Sequence, residues 1–461
     1  MLFCGKMYVR GWNLMSQKKK IIIAFLVVAA VVLLTGCLRI TADELYSLPE
    51  VSEEYLRLRA HINVLLNQGA EFAPPTRGPN RQSVQLVDLN GTGTNEVIAF
   101  FSDPGESALM IYIFEFFDGD YTVVDIIQGV GTEIESVRYV DMDGDGVKEI
   151  VVGWQMGSAL RYMSIYSMSG FHNQEIVGPV EYTEISVFDI TGNGTEDVIV
   201  LRMPTQETGA VAEVYSLMQD GEIVREETRL SNGIESISRI LTGRLIDDTP
   251  AVFIDSEGTF ENGSLVTDVL AISEESFSNI SLVTESGLSE STVRHRMSSS
   301  DINKDGIIKV PTLRLLMAQS ETEYFAIDWY AFRNTGYSSL ALTTYHNNFD
   351  EWFLILPFDW REKVSVRRED AVPGERTIIF SYFENPDEQH EDFLKIYKLS
   401  GENAEERASS GDRVFLMTEG TSSYAFELVA PPDSFGLTFN EELIISNFRL
   451  LYSEWLTGSG T

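Results

Sequence analysis

Cysteine is almost absent. Only Cys4 and Cys37 occur among 461 residues, so the body of the chain can carry neither a disulfide framework nor a CxxC metal site. Histidine is nearly as scarce: His61, His172, His295, His346 and His390 stand far apart without HExxH or comparable spacing, and read as surface or packing residues rather than zinc ligands. Basic charge is short too, with 34 Lys and Arg against 70 Asp and Glu and a formal charge of −36. So acidic a surface repels phosphate backbones, which argues against nucleic acid as a partner. No GxSxG elbow, Walker loop or GxGxxG at a strand-to-helix junction is present, and among so many acids a carboxylate pair for glycoside hydrolysis cannot be singled out. What the chain does have is a hydrophobic fraction of 44% with 11% aromatics, enough for a sizeable core and inconsistent with general disorder.

The first forty residues read as an address. Lys18, Lys19 and Lys20 precede Ile21 to Leu34, an apolar run of 14 residues. As a helix it would rise only about 21 Å, short of the ~30 Å hydrocarbon layer, so it is a secretory h-region rather than a membrane span. The run ends in Leu34-Thr-Gly-Cys37, which resembles the lipobox of bacterial lipoprotein signal peptides. That resemblance implies that Cys37 becomes the lipidated N-terminus, and two acyl chains suffice for stable anchoring at the membrane. Met15-Ser-Gln-Lys-Lys-Lys20 already begins a signal peptide of usual shape, so residues 1–14 read as an upstream-start artefact. The expected order is therefore signal peptide 1–36, tether 37–50, helix and linker 51–82, repeat body 83–430, and C-terminal helix and tail 431–461.

The repeat body is punctuated by acidic turns. The best, Asp141-Met-Asp-Gly-Asp-Gly-Val-Lys-Glu149, puts oxygen side chains at positions 1, 3, 5 and 9, with glycines where a tight turn around a cation needs positive φ. Imperfect copies are Asp88-Leu-Asn-Gly-Thr-Gly-Thr-Asn-Glu96, Asp189-Ile-Thr-Gly-Asn-Gly-Thr-Glu-Asp197 and Asp301-Ile-Asn-Lys-Asp-Gly-Ile-Ile-Lys309. Arg239 to Ile254 keeps the Thr-Gly and the closing apolar run but not the acidic ladder. The first three turns start 53 and 48 residues apart. Each is followed by a buried strand, an aromatic-rich strand, a turn, a third strand, and a fourth that runs into the next acidic turn. A four-stranded unit of this length is a β-propeller blade, and dividing 83–430 by that length predicts an all-β propeller of about seven blades. Helices are expected at 51–67, from Tyr55, Leu58, Ile62, Leu65 and Leu66, and at 440–456.

The DxDGDGxxEIVVG pattern resembles the FG-GAP and VCBS-type repeats of integrin-α-like β-propellers, and the lipoprotein setting is similar to that of repeat-bearing lipoproteins of Gram-positive bacteria. The resemblance implies calcium in the turns. In the best turn it implies Asp141, Asp143, Asp145 and Glu149 as side-chain ligands with the Val147 carbonyl; in the others, Asp88, Asn90, Thr92 and Glu96, and Asp189, Thr191, Asn193 and Asp197. Hard oxygen donors on a flexible loop suit calcium better than zinc or copper. Lys309, at the ninth position of the fourth turn, would set a cation beside the ion, so that turn is expected to hold no metal and its lysine to pair with an aspartate.

The aromatic concentration that includes Trp329, Tyr330, Tyr337, Tyr345, Trp352 and Trp360 reads first as core and only second as a ligand-stacking face. The expected function is that of a lipid-anchored protein on the extracellular face of the cell membrane, whose calcium-stiffened propeller binds a protein or glycan at the cell surface. The alternatives are a secreted carbohydrate-active enzyme on the same scaffold and a structural accessory of an envelope complex.

Overall fold

A computed structural model describes residues 52–451 apart from 104, 106–107, 130, 159, 169–172, 206–207, 260–263, 290–291, 294–296, 319–321 and 388. The signal peptide, Cys37, the tether, His172, His295, the turn at Ser169-Gly170 and the end of the expected C-terminal helix lie outside the described residues. The chain divides into two compact units, one comprising the residues up to Gln68 with Phe116–Tyr121 and the other holding the rest.

In the first unit helix α1, Glu53–Asn67, starts where the spacing predicts. Ser52 caps it by accepting the Tyr55 N–H at 3.2 Å, and Glu53 and Glu54 favour its positive end. Leu58 and Ile62 are buried while Tyr55 is exposed, so only part of the apolar stripe is covered. Polar bonds reach the Phe116–Tyr121 segment: Arg57 donates to the Gly119 carbonyl, the Tyr121 hydroxyl to Glu54 at 2.8 Å, and His61 meets Asp120 at 3.2 Å.

The fold is all-β. Six sheets of four to six strands follow one another along the chain, joined by one short hairpin, Leu282–Val283 with Leu288–Ser289. Sheet I contains Val84–Val87, Glu96–Asp103, Ala108–Phe117 and Asp120–Gly129; sheet II, Glu133–Val140, Glu149–Met156, Leu160–Ser167 and Gln174–Glu181; sheet III, Glu184–Phe188, Asp197–Arg202, Val211–Leu217 and Ile223–Arg229. Sheet IV is built on Ile234–Arg244, Pro250–Gly258, Leu265–Ser273 and Ser276–Asn279.

These ladders move the expected unit by one strand. Glu184–Phe188, expected to close the unit before the turn, instead pairs across the turn with Asp197–Arg202, from Glu184 opposite Leu201 to Phe188 opposite Asp197. A nine-residue turn returns the chain antiparallel beside the strand it left, so the local hairpin forms at small loop-closure cost. Tyr182 and Thr183 alone then step to the next sheet.

Beyond residue 310 the units enlarge. Sheet V orders Val310–Leu315, Phe325–Phe332, Ser338–Asn347, Trp352–Leu356 and then Phe448–Leu450. Sheet VI has six strands, with Ser422–Leu428 inserted between Glu391–Ser400 and Val414–Glu419. The expected 440–456 helix is correspondingly short. It spans Glu441–Asn447, capped by Asn440, after which alternately buried Phe448 and Leu450 pair with Leu354 and Trp352.

The core lies between successive sheets. In the strand Glu149–Met156, Ile150, Val152 and Trp154 pack with Ile98, Phe100 and Ile111 of sheet I, while Val151 packs with Val198 and Val200 of sheet III. A strand buried on both faces needs an unbroken apolar run, and Ile150-Val-Val-Gly-Trp154 supplies it. Each such side chain contributes about 1.5–3 kcal/mol on burial. The aromatic segment is core as expected: Trp329, Tyr345, Trp352 and Trp360 are all buried, and Tyr337 is exposed. His346 lies between the Trp329 and Phe353 rings, and burial pushes its pKa down to about 3, so it is a neutral packing residue.

Candidate functional site: a row of acidic turns

The turns at 88–96, 141–149 and 189–197 each connect the first strand of a sheet to the second, as does the short turn Leu245 to Thr249, which lacks the spaced ladder of acids. They therefore lie at the same end of their strands, and backbone bonds join the first three in series and 301–309 to the strand before Leu245. The Lys148 N–H donates to the Leu89 carbonyl at 2.7 Å, the Glu196 N–H to the Asp141 carbonyl at 3.5 Å, and the Ile308 N–H to the Arg244 carbonyl at 3.2 Å.

Two hydrogen-bond rules repeat. The aspartate at position 1 accepts backbone N–H groups from inside the turn: Thr92 and Gly93 on Asp88, Gly144 and Gly146 on Asp141, Gly192, Asn193 and Gly194 on Asp189, Asp305 and Gly306 on Asp301, all between 2.7 and 3.2 Å. Where position 9 is acidic, its buried carboxylate accepts the N–H of position 2: Leu89 on Glu96 at 2.8 Å, Met142 on Glu149 at 3.1 Å, Ile190 on Asp197 at 3.0 Å. These bonds shape the turns without any ion, in the manner of Asx-turns. Burial pushes Glu96 and Asp197 up from the ordinary carboxylate range and Glu149 up to about 7, with the charges of Asp143 and Asp145 adding to the last.

The turns differ in what faces their remaining oxygens. In 88–96 the Asn90 side-chain amide donates to Glu96 at 2.9 Å. In 189–197 the Thr191 hydroxyl lies 3.2 Å from Asp197 and 3.4 Å from Asp189. In 301–309 the Lys309 ammonium is buried among Asn303, Asp305 and the Ile307 carbonyl at 2.7, 2.7 and 2.9 Å, so the expected aspartate pairing is present. In 141–149 the carboxylates accept from backbone N–H groups and, among the described residues, from no basic, amide or hydroxyl side chain. Asp141, Asp143 and Asp145 nevertheless offer oxygens that all lie within 4.8 Å of one another, and burial with the neighbouring charges of Asp145 and Asp141 pushes Asp143 up.

This donor set fits a hard divalent cation. Asp141, Asp143 and Asp145 bring three hard oxygens together, and calcium takes six to eight such ligands with water completing the shell. The sets at 88–96 and 189–197 hold two carboxylates each, and their internal donors compete for the same oxygens.

Sequence reading missed a second feature. A cleft of about 620 Å³ is lined by Thr183, Arg202, Glu227, Arg229 and Asn232, among others, at the opposite strand ends of sheet III from its acidic turn. Its residues come from strand termini spread over fifty positions, so no local pattern marks it; pairing the strand ends would have gathered them.

No family model matches the chain, and no curated protein matches it. Among solved structures it is similar to the rhamnogalacturonan lyase YesW, with 10% identity over 85% of this chain and 80% of that one at a TM-score of 0.25. It is also similar to the V. cholerae biofilm matrix protein Bap1, with 11% identity over 76% of this chain and 57% of that one at a TM-score of 0.16. At such TM-scores neither likeness carries an argument about the chain's function.

Proposed function

We propose that the chain is a lipid-anchored protein of the extracellular membrane face whose sheets form a calcium-binding β-propeller of FG-GAP/VCBS type and act as a protein- or glycan-binding module. The observation that carries the calcium reading is the contrast within the row. Three turns turn an amide, a hydroxyl or an ammonium onto their carboxylates, whereas in 141–149 three aspartates converge and, among the described residues, no other side chain donates to them. An external cation would supply the missing positive charge, bound by Asp141, Asp143, Asp145, Glu149 and Val147, and would stiffen the row through Lys148 and Leu89. Succession of antiparallel sheets of four to six strands, with core packed between neighbours, supports the propeller, and the lipobox-like Leu34 to Cys37 supports the anchor. The polar cleft of sheet III is the place where a protein loop or glycan would dock.

Calorimetric titration with calcium tests the reading. Asp143→Ala should remove the tightest site while the variant stays folded; an isotherm identical to wild type would eliminate the central turn. Pull-down from the cell envelope with and without chelator then tests whether binding depends on the ion.

A further inference from the structure

The fourth acidic turn has a cation of its own. Lys309 carries one of the deepest charges in the protein, its side chain only 2% exposed. An ammonium has three N–H donors, and here the three are matched by Asn303 Oδ1 at 2.7 Å, Asp305 Oδ1 at 2.7 Å and the Ile307 carbonyl at 2.9 Å, with Asp301 Oδ1 at 3.8 Å. Those four oxygens belong to positions 1, 3, 5 and 7 of the turn. Backbone bonds fix the base of the lysine, Lys309 N–H to the Ser300 carbonyl and Ser300 N–H to the Lys309 carbonyl, both at 2.9 Å. Burial alone would raise Asp305, yet the hydrogen bond from Lys309 and those from Ile307 and Asn303 hold it below the ordinary carboxylate range.

We propose that Lys309 is a tethered cation that permanently fills the ion position of the 301–309 turn, and that replacing it with an acidic residue opens a latent divalent-cation site there. A buried ammonium with every donor matched is held by charge-assisted bonds, and removing it strands Asp301 and Asp305 without a counter-charge. Placing a carboxylate at position 9 instead yields Asp301, Asn303, Asp305, the Ile307 carbonyl and the new acid, an all-oxygen set suited to calcium. The ammonium geometry stands whether or not the 141–149 turn binds calcium, and the variants below separate the two.

Lys309→Glu, purified with and without calcium, is titrated beside wild type and beside the double variant Asp143→Ala/Lys309→Glu. Expected is one additional calcium site in Lys309→Glu, retained in the double variant. Lys309→Met keeps the length without the charge, and its unfolding temperature should fall by about 5 °C, with part of that loss restored by millimolar calcium and no such restoration in Asp143→Ala. A folded Lys309→Glu that takes up no calcium beyond wild type overturns the latent site, and an unmoved unfolding temperature in Lys309→Met overturns the tethered cation. If Lys309→Glu folds only when calcium is present, the proposal is supported. An unchanged isotherm in Asp143→Ala alone would count against the central turn and leave this assignment intact.

Discussion

The turns 141–149 and 301–309 have nearly the same backbone frame and opposite electrostatics. Both use an aspartate at position 1 to gather N–H groups from inside the turn; oxygens of positions 1, 3 and 5 converge in 141–149, and those of 3, 5 and 7 meet the lysine in 301–309. They part at position 9. Glu149 is a buried carboxylate on which the charges of Asp143 and Asp145 act, whereas Lys309 places an ammonium among the oxygens. In 301–309 the residue at position 9 thus supplies the counter-charge from the chain itself. The comparison teaches that the acidic spelling of a turn reports its shape, while the residues at positions 3 and 9 set which donors face its carboxylates. Turn 88–96 shows the intermediate case, with the Asn90 amide as a weak internal donor.

The strongest way to break the comparison is to exchange the deciding residue. Glu149→Lys should convert the central turn into the likeness of 301–309, its ammonium reaching Asp143, Asp145 and the Val147 carbonyl. The expected result is loss of the tightest calcium site by at least about 100-fold, equivalent to about 2.7 kcal/mol, in a protein that remains folded without calcium. A Glu149→Lys protein that titrates like wild type would show that position 9 does not decide the matter. One that unfolds, while Asp143→Ala does not, would assign Glu149 chiefly to its bond with the Met142 N–H.

A smaller effect should be visible in the wild-type protein without mutation. Hydrogen exchange with and without chelator distinguishes a turn that needs an ion from one that carries its own. Chelation should speed exchange at 141–149 and at its neighbours across the Lys148–Leu89 and Glu196–Asp141 bonds. The 301–309 amides should be unaffected. Equal acceleration in both turns would erase the difference argued from Lys309.

Much of this was legible in the sequence, and the limits are physical. Strand positions followed from short apolar runs, and the acidic turns from a fixed spacing of oxygens and glycines, because both are local patterns. The sheet boundary was not. Glu184–Phe188 reads equally well as the end of one unit or the start of the next, and only its ladder with Asp197–Arg202 decides. Phe448–Leu450 continued a helical spacing, and its pairing with Trp352–Leu354 lies a hundred residues away. At the site, charge conflict at Lys309 was readable, whereas its capture of the Ile307 carbonyl, which completes the ammonium shell, depends on backbone direction.

The finest test separates the shape of a turn from its contact with the next. Gly91 has φ +67°, and a Cβ there would stand 2.5 Å from the Gly146 carbonyl oxygen of the neighbouring turn; Gly146 has φ +88° with nothing within 4 Å of such a Cβ. Gly146→Ala should therefore cost only the left-handed conformation, about 1 kcal/mol. Gly91→Ala should cost that and more, because backbone must move and the Lys148–Leu89 bond must stretch. Chemical denaturation of the two variants measures the difference, which is expected to be about 1 kcal/mol. Equal costs would mean that the 88–96 and 141–149 turns lie side by side without constraining each other, and chelation of one would then leave the other's exchange unchanged.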